Sequence, residues 1–160
     1  MPIGELFAHM SGLYFRGKLT YAQRFGRALV ITPDRGLIPA ETVVTADVLM
    51  RFAEAEISVE NPAYRKPLED TALALARIAG NRAEFVLLGS VASQKYVEVL
   101  SGILGLRLTF PSSFVGRGDM SRGGLLLRAA AAGSELEYIP VVGSARHGVR
   151  PPKLEPLVRK

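Results

Sequence analysis

Between residues 114 and 124 the chain reads FVGRGDMSRGG, with four glycines, two arginines and one aspartate in eleven positions. Gly116, Gly118, Gly123 and Gly124 remove side chains where a backbone must bend or approach a ligand. Arg117 and Arg122 offer planar guanidinium forks that suit a phosphate or a carboxylate. Asp119 can do acid–base work, orient an arginine, or cap a helix starting near Met120, and the cap is the commonest use of an aspartate in that position. No Gly-Lys-Ser/Thr follows, so the run is no P-loop, and Arg122 stands where a dinucleotide fingerprint needs its third glycine. The embedded Arg117–Gly118–Asp119 suggests cell adhesion only as an isolated tripeptide.

Two further segments carry candidate chemistry. In GSVASQKY (89–96), Gly89 follows an apolar run and permits a tight turn, Ser90 and Ser93 offer hydroxyls, and Lys95 adds a full charge. A helix beginning there presents free N–H groups to an anion. The structural alternative is an ordinary strand-to-helix turn with Ser93 as the cap. In TPDRGLIP (32–39), Asp34 is a candidate general base or ribose-hydroxyl acceptor. Its alternative is a type I turn, which favours Pro-Asp-Xaa-Gly in any case.

Upstream, Tyr14, Phe15, Arg16 and Lys18 lie together. Aromatic rings beside basic groups stack on a base, or else form a core edge with snorkelling charges. His9 and His147 are isolated from each other and from any carboxylate cluster, so no metal site is expected. LLGSVAS lacks the G-x-S-x-G elbow of a serine hydrolase. No cofactor is implied, and no reaction can be read from these motifs.

Something must position these loops. ALVIT (28–32), EFVLL (84–88), LRLTF (106–110) and EYIPV (137–141) have strand length, the first two largely apolar as for strands buried on both faces. Pro140 belongs at an edge or a strand end. Between them lie helical patterns. Phe15, Leu19 and Ala22 share a face ended by a left-handed Gly26, and Thr45 caps a helix carrying Val48, Leu49 and Phe52. Pro67 occupies a first turn ahead of the Leu68, Ala72, Leu75 and Ala79 stripe, with Gly80 following. Ser93 caps a helix stopped by Gly105, and a last helix runs from near Met120 to Ala132, stopped by Gly133. This alternation predicts an α/β fold, a three-layer sandwich with a small, mostly parallel sheet flanked by helices. The three loops would then meet at the carboxyl edge of the sheet, where open α/β folds bind ligands.

Composition sets the limits. A chain of 160 residues, 48% hydrophobic and 22% charged, fits one globular domain, here residues 1–143. After Gly143 the chain turns proline-containing and basic: Arg146, Arg150, Lys153, Arg159 and Lys160 stand against Glu155 alone. Most of the net charge of +5 therefore sits in this 144–160 arm, and the body is nearly neutral. That argues against a broad nucleic-acid-binding face on the core. With no cysteine, no secretory pattern and no long apolar run, a cytoplasmic protein without membrane contact is expected.

FVGRGDMSRGGLLLR and LLGSVASQKYVEVL resemble an uncharacterised bacterial α/β family, over most of residues 12–142. LYFRGKLTYA and ALVITPDRGLIP are faintly similar to YaaA-like α/β proteins, some relatives of which are associated with nucleic-acid base modification. Neither resemblance supplies a catalytic residue. The sequence thus leads to one expectation, a site for a nucleotide or another phosphate-bearing small molecule. Asp34 or Asp119 would supply any acid–base chemistry, and Gly89, Ser90, Ser93, Lys95, Gly116, Arg117, Gly118 and Arg122 would bind the ligand. The competing expectation is a non-catalytic module that uses the arm to hold nucleic acid or protein, or to join subunits into an oligomer.

Overall fold

A computed structural model of the chain describes residues 1–90 and 93–143. The basic arm lies outside these residues, as do Val91 and Ala92 of the loop after the second expected strand. Within them the fold is a mixed α/β one, with six α-helices and five short strands.

Helix α1 (Ile3–Ser11) is an element that the sequence pattern missed. It has no side-chain cap, and its first free N–H groups are met by backbone instead. Ile3 donates to the Thr42 carbonyl at 2.8 Å and Gly4 to the Ala40 carbonyl at 2.9 Å. Gly12, at φ +76°, separates it from α2 (Leu13–Phe25). Gly26 ends α2 in an extended conformation, φ −172°, rather than the expected left-handed one.

Strands β1 (Leu29–Thr32) and β2 (Gly36–Pro39) form an antiparallel hairpin. This overturns the reading of β1 as a strand followed by a crossover. Thr32 ties the turn: its hydroxyl donates to the Gly36 carbonyl at 2.8 Å and accepts from the Arg35 N–H at 3.0 Å. Gly36 takes φ +62° against α4, where a Cβ would lie 2.3 Å from the Pro67 carbonyl oxygen. Strand β1 buries Val30 and Thr32 but leaves Leu29 exposed, the alternation of a one-sided hairpin.

Helix α3 (Ala46–Glu54) is capped as expected, the Thr45 hydroxyl accepting from the Val48 N–H. Helix α4 (Pro62–Ala79) starts five residues before the expected proline, with Asn61 as cap and Pro62 in the first turn. Pro67 falls inside the helix, and the buried stripe is Tyr64, Leu68 and Ala72. Arg107 closes its far end by donating to the Gly80 carbonyl at 2.8 Å.

The second sheet contains β3 (Phe85–Val86), β4 (Leu108–Pro111) and β5 (Tyr138–Pro140), in that order. Strands β3 and β4 run parallel, whereas β5 is an antiparallel edge strand ending in Pro140. One parallel pairing and two antiparallel ones, in two small sheets, replace the single mostly parallel sheet expected. Helix α5 (Val97–Leu104) begins later than expected. Ser93 shapes the turn before it and does not cap it, its hydroxyl accepting from the Lys95 N–H at 3.3 Å. Helix α6 (Asp119–Ala132) ends at the left-handed Gly133 as the sequence predicts.

Two apolar clusters hold these parts. The larger joins β4, α4, α5 and α6 around Phe110, Phe114, Leu68 and Leu126; the smaller joins Ile3, Val30, Val48 and Phe52. Helix α2 serves both, Tyr14 and Tyr21 facing the first and Phe15 and Leu19 the second.

Candidate ligand-binding cavity

Because β3 and β4 are parallel, the segments after them leave the sheet at the same edge. Two of the three predicted loops therefore meet, and the third, with Asp34, is a hairpin turn belonging to the other sheet. Asp34 is half-buried, and its Oδ1 has no hydrogen-bond partner among the described residues.

A cavity of about 550 Å³ opens between the hairpin and the β3 side of the larger sheet. Residues 27–33 and 84–89 both line it. Among the described residues β1 pairs with β2 and β3 with β4, each along one edge, which leaves this space between the two sheets. Phe15, Leu19, Leu100 and Leu104 contribute apolar wall from α2 and α5. Among the described residues four charged ones line it: Lys18, Arg27, Lys95 and Glu84, three cations to one anion. Gly89 and Tyr96 line it as well.

The post-β3 loop is built around Tyr96. Its hydroxyl donates to the Ser90 carbonyl at 2.8 Å, and a Cβ on Gly89 would lie 2.6 Å from that hydroxyl oxygen. Glycine at 89 thus leaves room for the ring. The Tyr14 hydroxyl donates to the Leu88 carbonyl, tying α2 to the end of β3. Burial pushes the Tyr14 phenol up to about 12, against the pull of the neighbouring Arg122 charge. Burial likewise raises Tyr96, while its bonds to Ser90 and Ser93 and the Arg122 charge oppose the rise. Both phenols are therefore protonated donors at neutral pH.

Lys18 sits one turn along α2 from Tyr14. Its Nζ lies 4.5 Å from the Tyr14 ring centroid and 5.0 Å from that of Phe15. Burial lowers its pKa from the ordinary 10.5, and the Asp119 carboxylate partly restores it. Asp119 itself is exposed and is the first residue of α6. Gly118 occupies the cap position and Asp119 the first helical one, contrary to the expectation of the aspartate as cap. Its charge acts instead on Lys18, Tyr14 and Tyr96.

The two arginines of the glycine run diverge. Arg117 folds back on its own loop, donating to the Ser113 carbonyl at 2.8 Å and the Ser121 hydroxyl at 3.0 Å. Arg122 donates to the Phe114 carbonyl at 3.2 Å and stacks 5.4 Å from that ring, and its buried Nε has no partner among the described residues. Neither guanidinium lines the cavity; Arg122 reaches it through the field at Tyr14 and Tyr96.

The glycines also divide. Gly116, at φ +76°, and Gly118 belong to the turn, whereas Gly123 and Gly124 lie inside α6. A Cβ on Gly17 would stand 2.7 Å from the Gly123 carbonyl oxygen, and one on Gly123 would stand 2.9 Å from the Tyr14 Cα. This close crossing, within the broadest packing between any two elements, sets Tyr14 and Lys18 beside Asp119 and Arg122.

Of the expected site residues, Gly89 and Lys95 line the cavity; Ser90, Ser93, Asp119 and Arg122 act on Tyr96 without lining it, and Asp34, Gly116, Arg117 and Gly118 do neither. Sequence reasoning passed over Tyr96, Arg27 and the placement of Lys18. Tyr14 and Lys18, four residues apart on one helical face, were the available signal. Among the described residues no group of three or more His, Cys, Asp or Glu side chains is placed to hold a metal ion, and no helix is long and apolar enough to cross a membrane. No family model, curated protein or solved structure matches the chain.

Proposed function

We propose that this cavity binds a phosphate-bearing small molecule with an apolar or aromatic body, a nucleotide being the leading class. The observation that carries the reading is the joint lining: Lys18, Gly89 and Lys95 share one cavity of about 550 Å³ with a largely apolar wall. That size falls in the range of ordinary small-molecule sites, roughly 300–1,000 Å³. An excess of cationic over anionic lining favours an anionic head group, and the apolar wall favours a flat or aliphatic body. The phosphate is assigned to Lys95 and the Gly89 turn at the end of β3, the edge at which α/β sheets commonly hold such groups. The ring or chain of the ligand lies against Phe15, Leu19 and Leu100.

The test is thermal unfolding of the full chain with a panel of nucleotides and sugar phosphates. A true ligand at about a hundred times its dissociation constant adds roughly 2.7 kcal/mol. At this chain length that raises Tm by about 5–10 °C. Lys95→Ala should weaken the response at unchanged stability of the free protein, because Lys95 is exposed and engages no acidic partner among the described ion pairs. If no panel member raises Tm, the reading is wrong.

A further inference from the structure

We propose that Lys18 is a nucleophilic amine that condenses with an aldehyde or ketone carbonyl of the bound molecule, so that the ligand is a phosphorylated carbonyl compound. This rests on the cavity reading above and adds a chemistry to it. A lysine in an anion site is normally a charge, and the surroundings of this one are unlike those of the other described lysines. Lys66 lies on the surface with its Nζ 3.1 Å from the Asp70 carboxylate, and Lys95, which lines the same cavity, is exposed. Lys18 lines the cavity half-buried, with its Nζ over the Tyr14 and Phe15 rings, and takes part in neither of the described ion pairs.

The helix crossing at Gly17 and Gly123 fixes its backbone, so the amine is offered from a packed helix and not from a loop. Burial disfavours the ammonium form, which enlarges the fraction of free amine at neutral pH. The charged and titratable groups that act on it and on its neighbouring phenol are Asp119, Arg122, Tyr14 and Tyr96.

The step balances without a further reagent. The neutral amine attacks the carbonyl carbon, a C–N bond forms, and the carbonyl π pair moves to oxygen. A proton passes from nitrogen to that oxygen to give a carbinolamine. The nitrogen lone pair then expels hydroxide, which takes from solvent the proton that the Lys18 ammonium released on becoming the free amine and leaves as water, and a C=N bond remains. The iminium so formed keeps the positive charge beside the two ring faces and within reach of the Asp119 field.

The experiment treats the full-length chain with pyridoxal 5′-phosphate or with pyridoxal, each under sodium cyanoborohydride at neutral pH. Peptide mass mapping then follows adducts at Lys18, Lys66, Lys95, Lys153 and Lys160. A carbonyl held in the cavity meets Lys18 at raised effective concentration, so labelling there should outpace Lys66 by at least about tenfold. The phosphorylated probe should also outpace pyridoxal at Lys18. Lys18→Arg, which keeps the charge, should remove the fast adduct and leave slow surface labelling. Labelling of Lys18 no faster than Lys66 overturns the amine assignment, and fast labelling of Lys95 alone overturns it while leaving the anion site standing. Equal rates for the two probes at a fast Lys18 support the amine and overturn the phosphate part of the cavity reading.

Discussion

Replacing Gly17 by alanine reverses a familiar sign. In an exposed helix interior, glycine to alanine stabilises by up to about 1 kcal/mol, through propensity and a less disordered unfolded chain. At Gly17 the new Cβ would lie 2.7 Å from the Gly123 carbonyl oxygen, and the atoms it meets are backbone on a second helix. Ordinary contact begins near 3.4 Å, so α2 and α6 must part by about 0.7 Å. Overpacking of this kind costs about 1–3 kcal/mol, which exceeds the propensity gain. The expected net loss is about 1–2 kcal/mol, a Tm lower by about 2–8 °C for a chain of this length. Gly102→Ala is the control, because that glycine lies within α5 and a Cβ there meets nothing within 4 Å. It should raise Tm by about 2–4 °C. Differential scanning calorimetry of the two variants and the parent decides the matter. If Gly17→Ala is as stable as the parent, the close crossing is not a constraint, and the claim that it positions Lys18 beside Asp119 fails with it.

Two other perturbations probe the site and its support. Lys18 has a lowered pKa when folded, so between that value and the ordinary 10.5 the unfolded chain binds more protons, and its contribution to stability rises with pH. The advantage of Lys18→Met over the parent at neutral pH should therefore shrink as pH climbs towards 10.5, as denaturant titrations at several pH values would show; a constant difference refutes the desolvation argument. Tyr21 passes a hydrogen-bond chain from α2 to the sheet: its oxygen accepts from the Leu136 N–H at 2.8 Å, it bonds the Tyr138 hydroxyl, and Tyr138 donates to Glu135 at 2.8 Å. Tyr21→Phe keeps the ring but strands these partners, and should cost about 1–3 kcal/mol in chemical unfolding, with a loss under about 0.5 kcal/mol counting against the chain.

Local chemistry was readable wherever a residue acts through its own backbone. Gly133 and Gly105 stop their helices, Thr45 caps α3, and Pro140 ends an edge strand, all as their types dictate. Pairing was not readable in the same way. ALVIT has the apolar content of a doubly buried strand, but Gly36 places GLIP directly after the turn and the two close into a hairpin. A run of four residues carries too little period to tell these cases apart. Helix α1 escaped notice because its N-terminal donors are satisfied by the carbonyls of Ala40 and Thr42, thirty or more residues away, with no capping side chain to announce it. Pro67 misled for a related reason: Asn61 and Pro62 open the helix earlier, and packing of Tyr64 and Leu68 carries it through the proline.

The same contrast explains what became of the glycine run. Gly116 bends a turn, as glycine before a charged loop suggests, but Gly123 serves a partner that sequence alone does not identify. Only the opposing Gly17, more than a hundred residues earlier, gives it meaning, since both must lack a Cβ for α2 and α6 to touch. That contact draws Tyr14 and Lys18 to Asp119 and Arg122, so a nearly neutral body acquires a local cluster of charge, of which Lys18 also lines the cavity. Of the charged groups near this crossing, Arg117 is engaged by its own loop, whereas Lys18 lines the cavity. The run expected to face a ligand thus also seats α2 against α6, through Gly123.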